Sequence, residues 1–312
     1  MRVPGPGLIT RAVAGPMPFA PRRSPLTDPT PDAGLFGPGS VTWRVMREPF
    51  LIMAAGRALL MQAANPLVAQ GAIDHSNFNT DPYGRFERTV LWVTLVSFGT
   101  TSEARKVTRD VNRLHRRVTG TVPEVHATRQ HPAGTEYSAA AQPLLRWVHA
   151  SFVDTMLVAH DALVGGLSEH DRDCFVREWD SVAALMKLRE GSTWRTAAAL
   201  RAYVRRELTR GGAVPGEGSR HVAETVLHPP VASPWMQPGM ELLSFISSGL
   251  LPAELRDAYG VSWTPAHAAA HAAALLAMRS ARRALPRRGR ISPVYDRAMS
   301  RIEGRWPAAS AA

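Results

Sequence analysis

From residue 39 to residue 306 the apolar side chains recur at every third or fourth position, and runs that alternate residue by residue are nearly absent. A period of about 3.6 residues lines one face of a helix, whereas a half-buried strand needs a period of two. The pattern therefore predicts an all-α fold, built by packing apolar helix faces together. Val41 to Ala64 keeps the helical spacing until Asn65-Pro66 interrupts it, and Arg85 to Phe98 is a strongly apolar helix behind the turn-like Asp81-Pro82-Tyr83-Gly84. Thr100-Thr101-Ser102-Glu103 reads as a capping box that starts another helix. Pro143 suits the first turn of a helix reaching to about Val164, and Ser168 caps the next one.

Three stretches depart from this pattern. Residues 1–38 are rich in Pro and Gly and read as a flexible N-terminal arm, and residues 307–312 read as a disordered tail. Gly211 to Pro238 is also Pro- and Gly-rich, and is expected to be a loop over the active site, because the flanking segments are too short to make separate cores. Residues 39–306 then form a single helical domain.

Composition narrows the function. The chain has 312 residues, 45% of them hydrophobic, enough for one sizeable core. Cys174 is the only cysteine, which excludes an internal disulfide and Cys-rich zinc or iron–sulfur sites. The net charge of +11 is carried by arginine, Lys106 and Lys187 being the only lysines. The arginines are spread along the chain without a nucleic-acid-binding signature, so they read as a solvated surface and no nucleic-acid partner is expected. Peripheral contact with an anionic membrane stays open. No stretch approaches the roughly 20 apolar residues that span a bilayer. The N-terminal apolar stretches are broken by Pro and Gly and lack the core of a secretory signal, so the expected location is cytoplasmic.

The chemistry-bearing candidates are histidines and arginines on apolar helix faces. His115 lies on a stripe with Val107, Val111, Leu114 and Val118. A histidine aimed at a core must satisfy both ring nitrogens, and coordinating haem iron does so for one of them. On spacing alone an ordinary hydrogen-bonded core histidine is favoured. His149 repeats the pattern among Leu145, Val148, Phe152, Met156 and Ala159, with the two readings evenly balanced. Two helices that each bury a histidine point to one shared polar site in an apolar core, where helical folds hold cofactors. Arg85, Arg88 and Thr89 share a helix face. An arginine there needs a carboxylate partner, such as a haem propionate, unless the pair simply faces solvent. His267 and His271 read as a plain helix, and no GxSxG, HExxH, EF-hand, Walker or dinucleotide motif is present.

The run AGRALLMQAANPLVAQGAIDHSNFNTDPYGRFERT resembles the opening signature of the MpaB-type oxygenases, which include the latex-clearing protein. The matching positions include Gly56, Arg57, Gln62, Pro66, Ser76, Asp81, Pro82, Arg85, Arg88 and Thr89. VNRLHRRVTG resembles the family's H-x-x-V-x-G block, and YSAAAQPLLRWVHAS its Y-x-A…L-L-x-W-V-H block. LLPAELRDAYGVSW and ALPRRGRISPVYDRA look like its C-terminal blocks, so the resemblance runs over about residues 34 to 300. It implies a globin-like helical core holding one haem b, with His115 as the iron ligand. Arg85 and Thr89 would line the haem pocket, and His149 would stand in or just behind it. Its implied activity is the dioxygen-dependent cleavage of carbon–carbon double bonds in isoprenoid chains.

Two departures matter. Arg88 stands where latex-clearing proteins carry a lysine able to cap the iron, and a guanidinium has no lone pair to give. The distal side is thus expected to be open, with Arg88 and Thr89 as the catalytic hydrogen-bond donors. Rubber oxygenases are also secreted, and no export signal is apparent here, which argues against polymer cleavage. The expectation is a haem b-dependent oxygenase that uses O2 on a small hydrophobic substrate, with an electron donor left open. The alternatives are a dehydrogenase or peroxidase-like tailoring enzyme, and a non-catalytic haem- or lipid-binding module at a membrane surface.

Overall fold

The computed structural model describes residues 24–76, 81–229 and 234–306. The helices are α1 (Val41–Met46), a 3-10 turn (Pro49–Ala54), α2 (Ala55–Ala63), α3 (Pro66–His75), α4 (Pro82–Phe98) and α5 (Thr101–His115). A hairpin of β1 (Thr119–Thr121) and β2 (Glu136–Ser138) leads to α6 (Gln142–Leu163), α7 (Glu169–Glu178), α8 (Asp180–Leu185), α9 (Ala197–Thr209) and α10 (Glu217–Leu227). The chain closes with α11 (Gln237–Gly249), α12 (Ala253–Ala258), α13 (Pro265–Ala284), α14 (Arg287–Arg290) and α15 (Pro293–Ile302). The fold is all-α as expected. Among the described residues no single helix is long and apolar enough to cross a membrane.

Several boundaries follow directly from local chemistry. The capping box at the start of α5 is made: Glu103 N donates to Thr100 Oγ1 at 3.1 Å, and Thr100 N to Glu103 Oε2 at 2.9 Å. Asn65 ends the α2 run because its side-chain oxygen accepts from Leu67 N and Val68 N, starting α3 with Pro66 in its first turn. Val41 to Ala64 is not one helix. Pro49 has no N–H and pushes Glu48 into extended backbone, so the run divides into α1, the 3-10 turn and α2 while keeping its apolar spacing. The stretch 211–238 also differs from expectation, since it contains α10. The small sheet is a further addition. Gly120 pairs with Tyr137, whose ring crosses it so closely that a β-carbon there would lie 2.6 Å from the phenol oxygen.

Residues 24–38 are packed against the domain. Leu26 is fully buried with Trp43, Phe98 and Ala298, and Thr101 N donates to Asp32 Oδ2 at 2.7 Å. The rest of the expected arm, residues 1–23, and the expected tail, 307–312, lie outside the described residues.

The 22-residue α6 is the axis of the core. Its residues are buried on nearly all sides, and α2, the 3-10 turn, α9 and α13 pack around it. A helix apolar all round belongs in an interior. Two of its histidines sit there uncharged: burial pushes His149 and His160 down to about 4 from 6.5, the latter also against the charges of Arg282, Arg44 and Arg172 and in spite of Asp161. A depressed histidine is neutral in the fold but takes up a proton when unfolded, so its contribution is complete above the unfolded value and is lost as pH falls. Unfolding free energy should therefore drop by on the order of 1.4 kcal/mol per pH unit per histidine as pH falls from about 6.5 to about 4. Urea titrations across that window check this; a stability unchanged down to pH 4.5 would contradict it.

Candidate functional site

Five helices line an apolar cavity that is partly open to solvent. The space exists because α2 and α3 present small residues to it, among them Gly56, Ala63, Ala69 and Ala72, while α10 and α11 close the far side with Val222, Val226 and Leu243. Gly56 is required for more than room. A β-carbon there would come within 2.7 Å of Ser247 Oγ, which donates to Met53 O at 3.0 Å and ties α11 to the 3-10 turn that leads into α2. The polar groups on the wall are few: Gln62, Arg85, Thr89 and Thr225, with the phenol of Tyr83. A large apolar pocket with a few convergent polar groups is the usual form of a small-molecule or cofactor site.

Arg85 is the charge on that wall. Its Nη1 donates to Ser76 Oγ at 2.7 Å, and no carboxylate among the described residues forms an ion pair with it. Burial, then the neighbouring Arg88, hold its pKa below the ordinary arginine value. A desolvated cation without a counter-charge is costly, and an anionic ligand relieves the cost. Thr89 lies one turn on and also lines the cavity, its hydroxyl donating to Arg85 O at 3.1 Å.

His115 is the last residue of α5 and is half-buried. Its Nδ1 is buried and has no hydrogen-bond partner among the described residues. Burial first, and then the positive charge of Arg85, hold its pKa below the usual 6.5. It is therefore a neutral imidazole at pH 7, the form that binds metals. His115 thus lies within electrostatic reach of Arg85, though it is not on the cavity wall. The apolar stripe expected around it is only partly present. Val107 and Val111 are half-buried, but Leu114 is 60% exposed. The helix ends at His115, so Val118 lies beyond it and packs on Gly71.

Two other expected residues stand elsewhere. Arg88 points away from the cavity, exposed and 3.5 Å from Asp81 Oδ2. Three residues separate it from Arg85, but only Arg85 turns inward. His149 is deep in the core, 6.4 Å from the Trp179 ring, and does not line the cavity. His271 packs between Phe245 and Trp263, and His267 caps α13, as a plain helix would have them.

The sequence reading missed two polar systems. Arg57 donates to Asp154 and Thr155 of α6 and to Leu250 O. Tyr137 donates to Asp74 Oδ2 at 2.5 Å, Gln70 Nε2 donates to Asp74 Oδ1 at 2.8 Å, and Gln70 Oε1 lies 2.7 Å from His126 Nδ1. The available signals were Arg57 and Asp154 inside otherwise apolar runs, and Gln70 and Asp74 at i, i+4 on α3.

The residues present suit a mainly apolar group that carries carboxylates and a metal: an apolar cavity, a cation on its wall without an ion-pair partner among the described residues, and, within electrostatic reach of that cation but off the wall, a neutral imidazole with an orphaned buried nitrogen. Among the described residues, no group of three or more His, Cys, Asp or Glu side chains is arranged to hold a bare metal ion. No curated protein and no solved structure matches the chain. Residues 43–283 match the model of the ER-bound oxygenase mpaB/B'/rubber oxygenase catalytic domain, a stretch that takes in every wall of the cavity together with His115 and Arg85. The match covers well over half of the 312 residues, and the chain belongs to this oxygenase family.

Proposed function

We propose that the chain is a haem b-dependent oxygenase acting with O2 on a small hydrophobic substrate. The observation that carries this reading is Arg85 on the wall of the apolar cavity, without an ion-pair partner among the described residues and with its charge acting on neutral His115. Bound haem would supply the activation of dioxygen. His115 would ligate the iron through a ring nitrogen, a role its uncharged state suits. Arg85 would pair with a propionate, exchanging a costly isolated charge for a charge-assisted hydrogen bond. Thr89 would present its hydroxyl to the cavity beside Arg85, while the apolar faces of α2, α3 and α10 bind the substrate and exclude water. His149 would support the site from behind through the packing of α6, and Arg88, turned to solvent, has no part in it.

An absorption spectrum of the protein expressed with a haem precursor tests this first. A Soret band that shifts when CO is added to the dithionite-reduced protein is the expected result. No Soret band at any haem loading would sink the proposal. Turnover of unsaturated lipids that continues without oxygen would leave haem in place but replace the oxygenase with another redox activity.

A further inference from the structure

A second cavity, of about 600 Å³ and open to solvent, is lined by Arg47, Arg282, Arg287, Arg290, Ile291 and Tyr295. It shares no lining residue with the apolar cavity. Four guanidinium groups repel one another, so their convergence needs an explanation.

Two of the four are already neutralised. Arg282 grips Glu48 with Nε and Nη2 at 2.7 and 2.6 Å. Arg287 grips Asp296 with Nη1 and Nη2 at 2.9 and 2.7 Å. Each leaves further N–H groups unspent, because a guanidinium has five. The other two, Arg47 and Arg290, form no ion pair with any described residue, and the Nε of each is buried without a hydrogen-bond partner. Arg47 and Arg290 therefore bring uncompensated positive charge to the cavity, which an anionic ligand would neutralise. The arrangement is held firmly: Ser292 N donates to Arg47 O at 2.8 Å, tying the end of α1 to the segment that carries Arg287 and Arg290. Arg47 also lies 5.7 Å from the centre of the Tyr295 ring.

We infer that this cavity binds a phosphate group, either free or as the headgroup of a phosphomonoester lipid. With Glu48 and Asp296 counted against the four arginines, the site carries two uncompensated positive charges, matching a phosphate dianion. Phosphate offers several acceptor oxygens to planar forks arriving from different directions, which a single carboxylate does not. The surrounding charge favours its approach, since residues 279–305 contain nine arginines and two acidic residues.

The test uses the full chain. Inorganic phosphate is titrated calorimetrically at fixed ionic strength, with chloride as the reference anion. Flotation is run in parallel with phosphatidylcholine vesicles, with and without phosphatidic acid. Arg47→Gln and Arg290→Gln should each weaken binding about tenfold, while Arg288→Gln, an exposed neighbour outside the cavity, should leave it within about twofold. If Arg47→Gln fails to fold, Arg290→Gln carries the comparison, since it alters only a short four-residue helix. Binding to phosphate alone marks a soluble phosphorylated ligand, and binding that requires phosphatidic acid marks a lipid headgroup; both support the site. No binding of either probe, or equal losses in all three variants, would overturn it.

Discussion

A His115→Ala protein prepared with haem in excess should lose the Soret band while keeping its helical content and nearly all of its thermal stability. The two effects separate because of where His115 sits. It ends α5, is only half-buried, and holds a buried Nδ1 that makes no hydrogen bond. Removing it therefore breaks no internal bond and costs roughly 1 kcal/mol of packing at most. If the imidazole is the iron ligand, haem affinity should fall by at least a hundredfold, and added free imidazole should restore part of the absorption. His149→Ala should behave in the opposite way. That ring fills a closed site against Trp179, so its loss should cost about 2–4 kcal/mol of stability while the spectrum of the loaded protein stays close to wild type. A full, unshifted Soret band in His115→Ala would remove this residue from the role, whatever else the protein binds. Arg85→Gln belongs in the same series. Losing the cation proposed to pair with a propionate should weaken haem binding while leaving a Soret band.

The contrast between these residues shows what a sequence can and cannot convey. Helix starts were legible because their chemistry is local: Thr100 with Glu103, Ser168 with Asp171 and Pro66 behind Asn65 all cap as their spacing suggests. That His115 and Arg85 serve one site was expected only through the order of family blocks, since periodicity alone gave each an ordinary alternative. Periodicity failed where helices end. It carried the His115 stripe on to Val118, past the point where the chain turns, and it counted Leu114 as inward. It also could not separate Arg85 from Arg88, for both lie on one nominal face, yet Arg85 lines the cavity and Arg88 faces solvent beside Asp81. Helix α10 was hidden between two Gly- and Pro-rich stretches, although its Val222 and Val226 form part of the cavity wall. The arginine cavity lay furthest from view, because Arg47 and Arg290 meet only through the packing of the two ends of the domain.

Loss of either partner in the Arg57–Asp154 pair should be the most damaging single change to the fold itself. Arg57 is 2% exposed, and its Nη2 lies 2.7 Å from Asp154 Oδ2. The same guanidinium donates to Thr155 Oγ1 at 2.5 Å and through Nε to Leu250 O at 2.8 Å, so one side chain joins α2, α6 and the turn after α11. Asp154→Ala leaves that cation buried with only neutral acceptors, and Arg57→Ala leaves the carboxylate buried in its place. Either change should lower the unfolding free energy by about 3–5 kcal/mol, a large share of the 5–15 kcal/mol typical of a domain. Arg57→Lys should recover little, because an ammonium cannot serve three acceptors in the plane of a fork. The double change Arg57→Met with Asp154→Leu should be milder than either single loss, since it removes both charges from a closed interior. Urea unfolding of Arg57→Ala, Asp154→Ala and the double Arg57→Ala/Asp154→Ala measures the coupling directly, and additive losses would show that the two charges do not depend on each other. The consequence reaches the site, because Gly56 and Leu59 on the same short helix line the apolar cavity. Asp154→Ala should therefore weaken cofactor binding even at temperatures where the chain is still folded, by freeing α2 from the axis that holds the cavity open.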